Sequence, residues 1–172
     1  MIFTRNKNPR YFEENRTGTN CGSLAFNIEE WYDLELDIYN DYVDMEDWIN
    51  SLYEEFVDQK EFSDFYAKLL VKIILEDFKG EIRLVDCYSP LKKDEELIAF
   101  RSFIDYEVQM DMFGEPMLDY ADFDYHFKVF RDGEWIEKNG GYEVHSCSES
   151  DWDCGGMNYI SNTYYFAHKI LT

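Results

Sequence analysis

Along residues 44–58 the apolar side chains Met45, Trp48, Ile49, Leu52, Tyr53 and Phe56 recur at three- and four-residue intervals. That is the period of one helix face, and Asp44 stands where an N-cap belongs. A second stretch starts from Ser63 as its cap and carries Phe65, Tyr66, Leu69, Leu70, Ile73, Ile74 and Leu75. Its apolar arc is wide, which predicts a central helix, and Gly80 suits the left-handed position past its end. Earlier, Leu24, Ala25, Ile28 and Trp31 follow Asn20-Cys21 at helical spacing. After Gly80 the pattern shortens to β-rich segments at 82–87, 97–108, 125–130, 134–138 and 163–170. Pro90 and Gly114-Glu115-Pro116 mark turns between them, and 146–162 reads as a longer loop. Helices first and strands afterwards predict an α+β fold in which N-terminal helices pack on one face of a C-terminal antiparallel sheet.

Composition keeps this picture to one unit. The chain has 172 residues and only three prolines, without repeat, low-complexity tract or linker, so 1–172 reads as a single domain. That length buries roughly two thirds of the unfolded surface without help from disulfides. Aromatic residues make up 19% of the chain, enough for a core despite a net charge of −21 from 37 acidic and 16 basic residues. Such a surface repels phosphate backbones, so direct nucleic-acid binding is not expected. It serves either plain solubility or the attraction of a basic host protein, including one whose usual ligand is DNA or RNA. The four cysteines fit a reducing compartment. Residues 1–7 lack a signal peptide's apolar run and no segment approaches ~18 apolar residues, so the expected location is cytoplasmic, without a membrane span.

Candidate chemistry begins at Thr17-Gly18-Thr19-Asn20-Cys21-Gly22, where small polar residues run into a cysteine at a predicted helix start. Orphan N–H groups and the helix dipole there favour a thiolate and can stabilise an oxyanion, which marks Cys21 as a nucleophile candidate with Asn20 beside it. The competing account makes Cys21 one more small buried hydrophobe. A base is offered by His126, on a strand that runs into Asp132-Gly133, the strongest short hairpin signal. With those two residues as the loop, Arg131 opposes Glu134, Phe130 opposes Trp135, Lys128 opposes Glu137 and His126 opposes Asn139. His126, Glu137 and Asn139 then share a face, and either Glu137 or Asn139 fixes the imidazole tautomer while the other ring nitrogen faces Cys21. The alternative is an ordinary hairpin with a solvated polar side.

Two further groups carry less. His145, Cys147 and Cys154, with Cys87 or Asp151 as a fourth donor, lack the paired Cys-x-x-Cys of structural zinc sites, and no metal or cofactor is assigned. His168 reads as a core or edge histidine, and the acidic runs 41–47 and 119–124 lack the calcium-loop pattern, so they read as solvated surface.

The segments Asn20-Cys21-Gly22-Ser23-Leu24-Ala25-Phe26 and Asp124-Tyr125-His126-Phe127-Lys128-Val129-Phe130, with the closing aromatic strand Tyr164-Tyr165-Phe166-Ala167-His168, resemble a group of phage and bacterial proteins. Those proteins are similar to papain-like and cell-wall-amidase-like cysteine hydrolases. The resemblance touches both ends of the chain and no motif between residues 34 and 98. It implies a papain-like fold, a Cys21 nucleophile, a His126 base and an amide or peptide substrate. The chain departs from the pattern at Ile136 and Glu137, where Ser and His fall in the group, so the third member is Glu137 as a carboxylate orienter or Asn139. The reading from another class is an acidic interaction protein or inhibitor that uses the fold as a scaffold for a basic partner.

Overall fold

The computed structural model of the chain describes residues 3–4 and 18–170. Three helices, α1 (Cys21–Phe26), α2 (Met45–Leu52) and α3 (Gln59–Asp77), precede the strands β1 (Ile82–Val85), β2 (Glu95–Met110), β3 (Pro116–Arg131), β4 (Glu134–Lys138), β5 (Val144–Ser146), β6 (Asp153–Cys154), β7 (Met157–Asn158) and β8 (Tyr164–Lys169). Six strands form an antiparallel sheet in the order β1-β8-β2-β3-β4-β5, and β6 and β7 make a separate small hairpin. The molecule is therefore mixed helix and sheet in the expected order. Among the described residues no helix is long and apolar enough to cross a membrane.

The two sheet faces are covered differently. On one, Ile98, Phe100, Ile104, Phe127, Val129 and Phe166 pack against Phe26, Phe62, Leu70 and Ile74 from α1 and α3, giving the main core. The period-two alternation of strands sends Ala99, Phe103, His126 and Lys128 to the other face. There the loop after β5, with Trp152 and Tyr159, forms a second, smaller cluster with Ala99 and Phe103. Lys128 is fully buried and pins that loop, its ammonium donating to the carbonyls of Ser148 (2.6 Å) and Asp151 and sitting 4.4 Å from the Trp152 ring centre.

Local chemistry accounts for most element bounds. Asp44 caps α2 through a 2.9 Å bond from the Asp47 amide, but the single helix expected over 44–58 stops at Leu52 and tightens into a 3-10 turn at Tyr53–Glu55. The central helix begins earlier than expected. Asp58 is its cap, accepting from the Glu61 amide at 2.8 Å, and Ser63 lies inside α3. A buried Ser63 hydroxyl instead accepts from the Ile104 amide (2.8 Å), while the Ser63 carbonyl accepts from the Ser102 hydroxyl (3.0 Å). Ser63 thus bolts α3 to β2, a tertiary role that local cap preference does not reveal. Strands β2 and β3 run longer than predicted, because pairing continues past the sheet body into a two-stranded arm that includes the acidic run 119–124. Segment 82–87 keeps its strand only to Val85, and 146–162 carries the β6–β7 hairpin.

Helix α1 is short and held from several sides. Asn20 closes a capping box with Ser23, and Arg131, paired with Glu96 at 2.7 and 2.8 Å, donates to the Leu24 carbonyl. Gly22 meets the Tyr32 ring so closely that a Cβ there would lie 2.6 Å from Tyr32 Cδ1. Gly22→Ala is therefore expected to destabilise by about 1–3 kcal/mol in urea denaturation, as overpacked core substitutions do. The opposite result, a gain of the ~1 kcal/mol by which Ala exceeds Gly in a helix, would show that Tyr32 yields without strain.

Candidate active site

Cys21 stands at the first position of α1, and the cap that places it is tied into the sheet. The Asn20 side chain accepts from the Ser23 amide (2.9 Å) and donates to the Tyr32 carbonyl (2.9 Å). That carbonyl also accepts from the Tyr125 hydroxyl at 3.0 Å, and Tyr125 directly precedes His126 on β3. A chain of hydrogen bonds from the nucleophile's cap to the base's neighbour thus fixes the offset between α1 and β3.

On the other side the Asp132-Gly133 turn has φ of 53° and 87°, the left-handed pair that a tight hairpin needs. Its register is the expected one, with Arg131 opposite Glu134, Phe130 opposite Trp135 and Lys128 opposite Glu137. Pairing ends there. His126 therefore lies two residues beyond Lys128, the last residue with a β4 partner, and at this open margin α1 meets a residue of the opposite sheet face. Cys21 and His126 line one cleft, and the thiol lies close enough to favour the charged ring. Its Nε2 lies 2.8 Å from Glu137 Oε2, which leaves Nδ1 as the nitrogen for the thiol. Glu137 Oε1 is in turn 3.1 Å from His145 Nε2.

The site is largely dry, with His126 3% and Glu137 8% exposed. Burial alone would push the imidazole toward its neutral form. The hydrogen bonds and charges of Cys21 and Glu137 outweigh it and raise the His126 pKa to about 9. Glu137 is subject to the same competition: burial favours its protonated form, but His126, with Lys128 and His145 behind it, holds the carboxyl below its usual range. Cys154, by contrast, is pushed up to about 11 by burial and by the charges of Glu137 and Cys21. The His126 ring lies 5.3 Å from the Tyr159 ring, and Tyr159 donates to Asp124 at 2.8 Å. A cleft of about 510 Å³ opens onto the group, lined by Cys21, Trp31, Asp124, His126, Tyr142 and Cys154 among others.

The structure thus brings Cys21, His126 and Glu137 together, while Asn20 and Asn139 line the same cleft with their side chains engaged in other hydrogen bonds. Asn139 leaves the ladder before reaching His126, and its Oδ1 accepts from the Cys154 thiol. Asn20 lines the cleft but its amide serves the α1 cap and Tyr32, so it positions the thiol rather than offering a free side-chain donor. Of the donors His145, Cys147 and Cys154, to which no metal is assigned, His145 bonds Glu137, and the donors that cluster among the described residues are His126, Glu137 and Cys154. His168 is buried beside Phe26 and Phe78, as a core histidine. Sequence reasoning missed Tyr32, Tyr125 and Tyr159 as the frame of the site. Only the position of Tyr125 beside His126 hinted at one of them. Compared with known proteins, the chain matches no family model, no curated protein and no solved structure.

The charge balance at His126 yields a pH test. A folded-state pKa near 9, above the unfolded value of about 6.5, makes a contribution to stability that is fully present below about 6.5 and lost as pH rises through about 9. Glu137→Gln keeps a hydrogen-bond partner and removes the charge. In an NMR titration its His126 ring is expected to lose its proton about 1 unit or more below wild type. The stability deficit of the variant is expected to shrink across the same window. A His126 midpoint that does not move would remove Glu137 as the group that holds the imidazolium.

Proposed function

We propose that the protein is a cysteine-dependent hydrolase of papain-like type, acting on an amide or peptide-like acyl bond. The carrying observation is the buried chain Cys21–His126–Glu137 at the mouth of a cleft, with the base oriented on its far nitrogen at 2.8 Å. In this reading Cys21 attacks the carbonyl carbon and His126 holds the proton that the leaving group then takes. Glu137 fixes the ring through Nε2, and the first-turn amides of α1 stand nearest to the developing oxyanion. Water attack with His126 as base then releases the acid and regenerates the thiol. The fold order, helix-borne cysteine before strand-borne histidine, supports the papain-like assignment, and the dry aromatic surroundings support a reaction that excludes bulk water.

An ordinary thiol is only a few per cent ionised at neutral pH, so a Cys21–His126 ion pair should be alkylated by iodoacetamide about 10-fold faster than the exposed Cys87, despite lying in a cleft. His126→Ala should remove the advantage. In a pull-down from host cytoplasm, Cys21→Ala should retain a protein that wild type releases in processed form. Slower labelling of Cys21 than of Cys87, unchanged by His126→Ala, would make the cysteine structural.

A second reading has its own observation. The outer half of β2 and β3 extends beyond β8 and β4 as an arm whose end exposes Met110, Met112 and Phe113 among Asp105, Glu107, Asp111 and Glu115. An apolar tip ringed by carboxylates fits a basic partner with an apolar recess, held without catalysis. Capture of such a partner equally by wild type and Cys21→Ala is then expected, with steep release once salt shortens the Debye length below its physiological ~8 Å, and with loss of capture on Met112→Ser/Phe113→Ser. Capture that ignores both salt and the tip substitutions would count against this reading.

A further inference from the structure

Beside Cys21 lies a donor set of which hydrolysis uses only the imidazole and the carboxylate. Its third member is Cys154, which stands at the β6–β7 hairpin with its thiol on Asn139. The donor atoms of His126, Glu137 and Cys154 all lie within 4.8 Å of one another. Around a tetrahedral ion with bonds of about 2.0–2.3 Å the donor atoms stand about 3.5 Å apart, so a central ion requires side-chain shifts of about 1 Å. The hairpin that carries Cys154 can supply them, since Gly155 and Gly156 at its turn have φ of 64° and 84° and carry no side chain to resist.

The chemistry of the donors selects the ion. One imidazole nitrogen, one carboxylate oxygen and one thiolate suit a borderline-soft divalent metal and not magnesium or calcium, which take oxygen sets. The supporting contacts are of the kind that orient metal ligands. Glu137 keeps its second oxygen on His145 at 3.1 Å, and the Cys154 thiol is already directed by Asn139. We propose that the cleft binds one zinc-class divalent ion through His126, Glu137 and Cys154, and that this ion switches Cys21 off. The ion takes the place of the proton between His126 and Glu137 and of the Cys154 thiol proton, so binding releases protons to solvent. An imidazole whose ring is ligated can no longer exchange a proton with Cys21. The consequence for Cys21 rests on the hydrolase reading above, whereas the metal site itself stands on the geometry alone.

Equilibrium dialysis of metal-free protein against Zn²⁺ tests the site, and cobalt absorption tests its thiolate ligand. One ion per chain is expected, with affinity lowered about 10-fold or more by Cys154→Ser or by Glu137→Gln, and unchanged by Cys147→Ser. A sulfur-to-cobalt charge-transfer band should appear in wild type and vanish in Cys154→Ser. Zn²⁺ should also stop wild type from releasing the processed protein of the pull-down, but not Cys154→Ser, with release restored by a chelator. Absence of stoichiometric binding, binding indifferent to both Cys154→Ser and Glu137→Gln, or binding that depends on Cys21 in place of Cys154 would overturn the site. Release of processed protein undiminished in the zinc-bound protein would overturn the switch. An unreactive Cys21 in the metal-free protein would instead count against the hydrolase reading, and dialysis would still decide the metal site.

Discussion

An imidazole and a carboxylate buried 2.8 Å apart govern much of what surrounds them. Removing either from water is costly unless every polar atom finds a partner, because in a dry interior an unmatched charge is penalised far more than at the surface. The neighbourhood meets that demand on each atom. Cys21 lies close enough to favour the charged His126 ring, His145 takes the second oxygen of Glu137, and the Lys128 ammonium lies near enough to favour the carboxylate. Lys128 is itself fixed by two carbonyls of the covering loop, so the loop that keeps the site dry is held by a charge that also supports it. Satisfaction of the pair and exclusion of water are therefore one arrangement.

A pair so placed has chemical consequences only if the thiol arrives at the right point, and this depends on backbone geometry at two places. Strand β4 ends its pairing at Lys128 opposite Glu137, so His126, paired with Arg101 on its β2 side, has no partner on its β4 side, and this leaves a margin where the helical layer can reach across. The Asn20–Tyr32–Tyr125 chain then sets how far α1 extends into that margin. Gly22 permits the approach of Tyr32 that completes this chain. Each device is modest in energy, about 1 kcal/mol for a typical hydrogen bond, but together they restrict the cysteine to one position.

The acidity of the chain acts on a different scale. A net charge of −21 creates a field that reaches about a Debye length, whereas the site is governed by contacts of 3 Å or so. Such a field favours the approach of positive charge from a distance, whereas the buried group acts only at contact.

Much of the arrangement was legible in residue order. Period and cap residues located the helices, the alternation after Gly80 gave an antiparallel sheet, and Asp132-Gly133 fixed a register that put His126 and Glu137 on one face. These are properties of neighbours in sequence, set by steric limits on φ and by the two- and four-residue periods of strand and helix. The break of the 44–58 helix at Leu52 was not legible, nor was the burial of Ser63 inside α3, which its hydrogen bonds to β2 decide. Nor could the sequence choose between Glu137 and Asn139. That choice depended on where pairing stopped and on Cys154 arriving from the covering loop to take Asn139. The meeting of Cys21 with His126 had to wait for the tertiary fold, since no local preference brings a helix start to the margin of a sheet; only the buried hydrogen bonds through Tyr32 and Tyr125 do.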